Sequence, residues 1–401
     1  SYEFSTSTTD PEGDDVSYGW DWNSDLVVDE WTAFIPSGDP VTTSHAWMEA
    51  GIFEVRVRAK DIHEEDNCRL YSDWSDPLVV TITEHQPGDD EWPMFGHDPA
   101  RLSVSTSNSP ETNTVKWRYN PVGNDVIRSS PVIYNNSVYF GCDDKNVYCL
   151  DADTSEFKWR FETAHEVICT PAVANGKVYF SSGDNSGAED KIYCVDAESG
   201  LEIWTYPPRT NKVWGVLSSP VVSQGKVYFC TNGIDYSADK VVCLDAETGE
   251  EIWTNHTEQC GGCSPALYNG KLYFSNVCRD AETGNLEWES PYDLGSPSVY
   301  NGRVYGGSLD DTMYCLNSAN GEMIWEFSTE GYIGGNPAIF DDRVYIGSWD
   351  RKVYCLDADP SDGSDEGMDD PEGVTYDLIW TFETGFYVKS SPAVADGKVY
   401  I

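Results

Sequence analysis

The stretch LDAETGEEIW, residues Leu244–Trp253, decides the fold because close copies of it recur along the 401-residue chain. Each copy follows a short apolar run, turns through a polar segment that holds Thr-Gly in two copies, and ends on a Trp. A second element is a Pro step followed by alternating apolar residues, as in SSPVVSQGKVYF from Ser218. It recurs seven times, with prolines at 131, 171, 220, 265, 297, 337 and 392. This spacing is typical of one four-stranded propeller blade per repeat.

The pattern within one unit predicts four short strands. In PAVANGKVYF, from Pro171, apolar residues alternate on both sides of Asn-Gly, which is typical of a tight hairpin. KVVCLDA from Lys240 supplies a third strand, and the Trp-bearing run after the turn supplies a fourth. One such sheet cannot bury both of its faces, so successive units must stack around an axis. The sequence therefore predicts an all-β chain whose residues 102–401 form a β-propeller of about seven four-stranded blades, with eight as the alternative.

The repeated motif resembles the tryptophan-docking motif of the pyrroloquinoline-quinone (PQQ) dehydrogenase propellers. The same repeat occurs in non-enzymatic relatives such as the assembly lipoprotein BamB, and the resemblance spans residues 92–401. It implies that the Trp of one blade packs against the neighbouring blade and that the Asp orders the turn. The residues expected to dock the blades in this structural way are Trp117, Trp159, Trp204, Trp253, Trp288, Trp325 and Trp380, with Asp151, Asp196, Asp245, Asp280 and Asp357.

Three features depart from the repeat. VKWRY around Trp117 precedes the first Ser-Pro strand, and we expect it to complete the last blade as an outer strand. The fourth unit, LYFSNVCRDAETGNLEW from Leu272, is short around its central hairpin, which predicts a shortened or fused strand. The sixth unit carries eight acidic residues between Asp357 and Gly373. That composition is typical of a disordered acidic loop and lacks the spacing of an EF-hand calcium site.

Residues 1–84 predict a separate β-sandwich, and residues 85–101 a linker and the start of the propeller. The alternating runs FEVRVRAKD from Phe53 and LVVTITE from Leu78 mark strands. The stretch WDWNSD from Trp20 resembles the aromatic motif of the PKD family, an immunoglobulin-like sandwich, with the glycines of that motif missing. The resemblance implies a spacer or an adhesive or glycan-associated module that here lacks its first strand. The acidic turn DPEGDD from Asp10 either solvates a loop or holds Ca²⁺.

Composition excludes two classes of partner. The chain has 69 Asp and Glu against 25 Lys and Arg, a formal net charge of -44. A field of that sign repels nucleic acid and anionic membrane surfaces. No apolar run approaches the roughly 18 residues of a membrane span. The chain begins at Ser1 and ends at Ile401 within an alternating apolar run, so we expect both ends to lie inside a longer protein.

A catalytic site is not predicted. The PQQ dehydrogenase resemblance implies a pair of adjacent cysteines and Ca²⁺ ligands beside the cofactor, but the sequence holds no Cys-Cys dipeptide. Cys260-Gly-Gly-Cys263 is followed by Ser, whereas covalent haem attachment requires His. The six histidines show no metal-ligand spacing. No cofactor is therefore expected, and PQQ with calcium remains only an alternative.

The cysteines follow the repeat. A shared position in the third strand predicts that these are buried, unpaired and structural: Cys149, Cys194, Cys243, Cys315, Cys355 and, at the matching point, Cys278. Any disulfide would have to involve the cysteines outside that register, which are Cys142, Cys169, Cys230, Cys260 and Cys263.

These observations predict a non-catalytic extracellular or cell-surface scaffold that presents its propeller to a protein or glycan ligand. The sequons Asn135-Asn-Ser and Asn255-His-Thr agree with that location. Two alternatives stay open: a PQQ-dependent dehydrogenase with an atypical site, and an assembly factor of the BamB kind.

Overall fold

The structure is a computed structural model that divides into two compact units, Ser1–Gln86 and Pro87–Ile401. It describes residues 2–10, 14–22, 28–45, 51–61, 72–75, 78–82, 91–105, 107, 112, 114–121, 123, 125–183, 191–207, 218–231, 239–257, 262–359, 368–369 and 377–401. All of the regular secondary structure in those ranges is β-strand. This confirms the predicted all-β class.

The first unit consists of a two-stranded sheet and a four-stranded sheet. Its strands are β1 (Tyr2–Thr6), β2 (Val16–Asp21), β3 (Glu30–Trp31), β4 (Val41–His45), β5 (Gly51–Asp61) and β6 (Leu78–Ile82). β1 pairs with β4, and the larger sheet has the order β3-β2-β5-β6. Phe4 of the small sheet contacts the stacked rings of Trp20 in β2 and Trp22 just after it, at ring-centroid distances of 6.1 and 5.1 Å. The two sheets therefore share one small aromatic core, to which Val55 also belongs.

The second unit is a ring of sheets built in chain order. The first three blades contain β8 (Val132–Tyr134), β9 (Ser137–Gly141), β10 (Asn146–Asp151), β11 (Phe157–Glu162), β12 (Ala172–Ala174), β13 (Lys177–Ser182), β14 (Lys191–Asp196), β15 (Glu202–Tyr206), β16 (Val221–Ser223), β17 (Lys226–Thr231), β18 (Lys240–Asp245) and β19 (Glu251–His256), after the short β7 (Val104–Ser105). Blades 4 to 7 contain β20 (Ala266–Tyr268), β21 (Lys271–Phe274), β22 (Val277–Asp280), β23 (Leu286–Glu289), β24 (Ser298–Tyr300), β25 (Arg303–Gly307), β26 (Thr312–Asn317), β27 (Met323–Ser328), β28 (Ala338–Phe340), β29 (Arg343–Gly347), β30 (Lys352–Asp357), β31 (Met368–Asp369), β32 (Asp377–Glu383), β33 (Ala393–Ala395) and β34 (Lys398–Tyr400).

Blades 1 to 5 each hold four consecutive antiparallel strands, and blade 6 has five in the order β28-β29-β30-β32-β31. The first strands of successive blades contact one another, so they surround the central channel. Two kinds of loop lie on the same side of the ring: those that join successive blades and those that join the second strand of a blade to its third. We call this side the loop side.

The hairpins explain why the repeat folds locally. In blade 1 the turn residues Asn135 and Asn136 have φ angles of 46° and 53°. Two successive residues with positive φ form the turn whose twist matches a tight hairpin, and Asn tolerates that conformation better than branched residues do. The Asn-Gly pairs predicted from the repeat adopt the same geometry at Asn175 and Gly176.

The seventh sheet corrects one prediction. Its order is β34-β33-β7, and β7 pairs with β33 in parallel through Val104 and Val394. The segment around Trp117, predicted to complete this blade, contributes no strand in residues 114–120. That prediction was wrong because the strand that joins the last sheet comes from an earlier, non-repetitive segment that reaches the inner edge of the sheet.

The two other departures from the repeat lie in blades 4 and 6. Blade 4 keeps four strands, but β21 and β22 have only four residues each and are joined by Ser275-Asn276, so shortening rather than fusion accounts for the missing residues. The acidic insertion of the sixth unit lies outside the described residues except for β31 and the stretch up to residue 359.

The third-strand cysteines lie in the blade cores. All six have no exposed surface and no disulfide partner, as predicted: Cys149, Cys194, Cys243, Cys278, Cys315 and Cys355. Burial raises the pKa of Cys243 to about 12, so its thiol stays protonated and unreactive at neutral pH. Cys142 and Cys169 also form no disulfide, and Cys260 lies outside the described residues.

Candidate functional site

The junction between blades 2 and 3 shows what the repeated Trp does. The indole N–H of Trp204 donates to the backbone oxygen of Ala246, 3.1 Å away, in the turn of the next blade. The Tyr179 hydroxyl donates to the same oxygen at 3.1 Å. A Cβ at Gly249, where φ is +72°, would lie 2.6 Å from the Trp204 ring. The glycine of the turn is therefore needed both for its backbone conformation and for the close approach of the indole.

The same junction recurs around the ring. The indole nitrogens donate to the equivalent turn carbonyl of the next blade in five further pairs: Trp117 to Ala152, Trp159 to Ala197, Trp253 to Ala281, Trp288 to Ser318 and Trp325 to Ala358. Trp380 differs, because 37% of its side chain is exposed. The sequence holds no further turn of this type after Trp380. Trp117 thus docks on blade 1, although its segment belongs to no sheet.

The acidic residue of each motif caps its turn. Asp245 accepts hydrogen bonds from the backbone N–H of Thr248 at 2.7 Å and from its hydroxyl at 2.9 Å. The same bonds are made by the carboxylates of Asp151 to Thr154, Asp196 to Ser199 and Asp280 to Thr283. Asp357 accepts the N–H of Asp359. These side chains act on the turn that presents the docking carbonyl, so they support the junction indirectly.

A pH dependence follows from the capped turns. Hydrogen bonds from the side chain and backbone of Ser199 lower the pKa of Asp196 below its usual value of 3.8. A lowered folded-state pKa contributes stability that is present above the unfolded value and lost as the pH falls through the folded one. We expect Asp196→Asn to reduce the loss of unfolding free energy between about pH 7 and about pH 3, measured by urea denaturation. Asn317 occupies the equivalent position in blade 5 and still accepts an N–H at 2.8 Å, so the substitution keeps the turn. An unchanged pH profile would contradict this role.

The tyrosine of the junction was missed at the sequence level. It lies in the second strand, opposite the buried Cys, as Tyr179 does against Cys194. Its hydroxyl reaches the docking carbonyl of the next blade from Tyr139, Tyr179, Tyr228, Tyr273 and Tyr305. The sequence did contain a signal for this contact, because a Val-Tyr or Leu-Tyr pair recurs in the second strand of the repeat. The alternation of residues in a strand explains that pair equally well, so it did not indicate a hydrogen bond.

We expect Tyr179→Phe to lower the free energy of unfolding by about 1 kcal/mol. The effect is small because the Ala246 oxygen keeps its bond from Trp204. Burial raises the pKa of Tyr179, so the hydroxyl remains a donor and the loss should be constant across neutral pH. Urea denaturation followed by circular dichroism measures this loss. A loss as large as that caused by Trp204→Ala would show that the two side chains do not share the Ala246 oxygen as their acceptor.

At five junctions the residue before the proline forms a second contact between blades. In each case a backbone N–H donates to the side-chain oxygen at the same position of the next blade: Ser130 to Thr170, Thr170 to Ser219, Ser219 to Ser264, Ser264 to Ser296 and Asn336 to Ser391. These bonds run around the channel at the start of the first strands. The hydroxyl of the Ser-Pro step therefore joins neighbouring blades.

The channel contains a segment of the chain itself. Residues 91–105, which we call the hub, run along the inner edges of the first strands. Trp92 exchanges two backbone hydrogen bonds of 2.8 Å with Ile133 of blade 1. Hub carbonyls then accept N–H groups from blades 2, 4, 5, 6 and 7: Val173 to Pro93, Leu267 to Pro99, Val299 to Ala100, Ile339 to Leu102 and Val394 to Ser103. Part of the hub was predicted from the sequence to be a linker. Its backbone pairs with N–H groups at the inner edges of the sheets that would otherwise lack partners.

Arg101 extends the hub to blade 3. Its side chain is completely buried, and its nitrogens donate to the backbone oxygens of Phe95, Ser219, Pro220 and Pro265. Burial lowers the pKa of Arg101 to about 9, which leaves it charged at neutral pH. Carbonyl oxygens supply the negative ends of dipoles that compensate a buried cation. A single side chain thus binds the hub to two blades.

Among the described residues no group of three or more His, Cys, Asp or Glu side chains could hold a metal ion. In the acidic turn of the first unit, Asp10 accepts the N–H of Asp14, and residues 11–13 lie outside the described ranges. The part of the chain that the structure describes has no helix capable of spanning a membrane.

Relatives of known activity match short parts of the chain. The quinoprotein ethanol dehydrogenase of Pseudomonas putida is 30% identical over 95 residues, which is 21% of this chain and 15% of that protein. The quinohemoprotein alcohol dehydrogenase ADH-IIG of the same organism is 26% identical over 106 residues, which is 22% of this chain and 15% of that protein. The chain thus matches only a small fraction of the length of these dehydrogenases.

Solved structures share the fold more broadly. BamB from Moraxella catarrhalis has a TM-score of 0.54 at 21% identity, covering 71% of this chain and 82% of that one. A europium-containing methanol dehydrogenase has a TM-score of 0.58 at 13% identity, covering 77% and 88%. The family model described as outer membrane protein assembly factor BamB matches residues 102–206, 188–289 and 274–401. Because these matches together span the repeats from residue 102 to the last, well over half of the sequence, the chain belongs to the family described by that name.

Proposed function

We propose that this chain is a non-catalytic binding or scaffold protein at the cell surface or outside the cell. The observation that carries the proposal is the hub, because the channel is where all blades converge and its inner edges are bonded to residues 91–105. The buried polar groups around Arg101 bond to one another within the chain. A rigid ring of this kind leaves its outer loops as the recognition surface.

The first unit supports the same proposal. Its two sheets and shared aromatic core agree with an immunoglobulin-like module of the PKD kind, which would act as a spacer. The formal charge of -44 favours a soluble surface. We propose a protein or glycan as the ligand and no resident cofactor.

The test is a direct search for quinoprotein chemistry. We expect the intact chain, mixed with PQQ and Ca²⁺, to show no saturable PQQ binding by equilibrium dialysis and no dye-linked oxidation of alcohols or sugars. The physical reason is that the channel is bonded to the hub and offers no described group of metal ligands. A PQQ dehydrogenase assayed in parallel supplies the positive control. Saturable PQQ binding with oxidation would overturn the proposal in favour of a dehydrogenase with an atypical site.

A second candidate is an assembly factor of the BamB kind, which the family match and the fold of the Moraxella protein favour. It would bind other proteins during their insertion into a membrane. Deleting the gene and measuring the amounts of membrane-inserted proteins tests it. Unchanged amounts together with absent PQQ activity would leave the surface scaffold as the function.

A further inference from the structure

The loop side of blades 5 to 7 carries four aromatic side chains in a row: Tyr332, Trp349, Tyr387 and Phe386. We call them the aromatic row. Successive ring centroids are 5.2, 6.2 and 4.7 Å apart. Tyr332, Tyr387 and Phe386 are 43, 44 and 71% exposed, and Trp349 is half-buried. Contiguous exposed aromatic surface of this kind marks an interaction site.

The backbone holds the row in place. The Trp349 N–H donates to the Tyr332 oxygen at 2.9 Å, and the Val388 N–H donates to the Ser348 oxygen at 3.1 Å. Thr384 donates its N–H and its hydroxyl to the Arg351 oxygen. The three loops are therefore fixed to one another. A surface that is already ordered loses little conformational entropy on binding.

Blade 1 shows what the same positions do elsewhere in the ring. GCDD from Gly141 matches GSWD from Gly347, and ETAHEV from Glu162 matches ETGFYV from Glu383. Asp143 and Glu166 thus correspond to Trp349 and Tyr387. In blade 1 these two carboxylates bind the same cation, Arg128, at 2.7 and 2.8 Å. Blade 6 replaces both acids with aromatic rings.

Two cations accompany the row. The Lys389 ammonium lies 4.3 Å above the centre of the Trp349 ring, and the Arg351 guanidinium lies 5.8 Å from that of Tyr387. Within the described ranges neither makes an ion pair, although the chain carries 69 acidic residues. The nearby carboxylate of Asp350 accepts the Tyr354 hydroxyl. The cations are thus available to an anionic ligand.

We propose that the aromatic row binds an acidic polysaccharide made of uronic acid residues, an inference that rests on the proposed binding function. Pyranose rings have apolar C–H faces that stack on aromatic rings, and their carboxylates suit Lys389 and Arg351. A protein hot spot requires anchors that become fully desolvated in a pocket. Aromatic rings in an open row with cations beside them therefore fit a flat, hydroxylated and negatively charged polysaccharide better than they fit a protein partner.

The experiment is calorimetric titration of the intact chain with polygalacturonate, with EDTA present to remove Ca²⁺. The salt concentration is about 0.15 M, where charges beyond about 8 Å are screened and the acidic surface does not dominate. Fully methyl-esterified polygalacturonate has the same backbone without the charge, and poly-glutamate has the charge without the sugar. We expect polygalacturonate to bind, and the other two to bind roughly tenfold more weakly or not at all.

Variants locate the site. We expect Tyr387→Ala and Lys389→Gln each to weaken polygalacturonate binding roughly tenfold. Tyr292→Ala is the matched control, since Tyr292 stacks on Tyr314 on the same side outside the row, and it should leave the affinity unchanged. Circular dichroism checks that each variant is folded. Absent polygalacturonate binding, equal binding of poly-glutamate, or an unaffected Tyr387→Ala variant would each overturn the inference. None of these results affects the PQQ test. A wrong ligand can therefore be distinguished from a wrong proposed function.

Discussion

Trp204→Ala is expected to lower the free energy of unfolding of the propeller by about 3–5 kcal/mol. The indole is only 8% exposed, packs against Gly249 and Tyr179, and donates to Ala246. The substitution removes one hydrogen bond and leaves a cavity at the junction between two blades. The ring cannot close around that cavity, so the lost contacts are not replaced. Urea denaturation followed by far-ultraviolet circular dichroism measures the change without relying on tryptophan fluorescence.

Trp380→Ala is the matched control within the same chain. Trp380 occupies the same repeat position and packs against Tyr345 with ring centroids 6.0 Å apart, but it is 37% exposed. We expect a loss roughly half as large or less, because less apolar surface of Trp380 is buried than of Trp204. Equal losses for the two variants would show that the stabilisation comes from within the blade and not from docking onto the next one.

Arg101→Met is expected to lower the free energy of unfolding by a similar amount, about 3–5 kcal/mol. Met fills much of the same volume and removes the desolvation penalty of the cation. It also leaves the backbone oxygens of Phe95, Ser219, Pro220 and Pro265 without the donors that they now have, and the bonds to the last three are buried. Backbone carbonyls cannot be removed along with the charge, so the unpaired acceptors outweigh the saved desolvation.

Arg128→Met provides the comparison for this effect. Arg128 binds Asp143 and Glu166, but its side chain is 47% exposed, so these ion pairs contribute about 1 kcal/mol or less. Both variants are measured by urea denaturation. If Arg101→Met proved no more destabilising than Arg128→Met, the hub would not be a major support of the ring.

The repeat made much of the fold predictable. Strand alternation, the Asn-Gly turns and the spacing of the prolines are local signals, and each depends on residues close together in the sequence. The third-strand cysteines were predicted to be buried from their register alone, and they are. Where the sequence departed from the repeat, prediction was less secure: the shortened strands of the fourth unit were expected, but the segment around Trp117 was assigned a strand that it does not form.

The sequence by itself therefore determined the all-β class, the stacked four-stranded units and the turn architecture around residues such as Trp204 and Asp245, because one pattern repeated many times averages out local ambiguity. Only the tertiary structure decided that Trp204 and Tyr179 share one acceptor and that residues 91–105 fill the channel. Arg101 meets Pro265 across 164 positions of sequence. The hub has no periodicity of its own, and its conformation is set by the inner edges of the seven sheets, which exist only once the ring has formed.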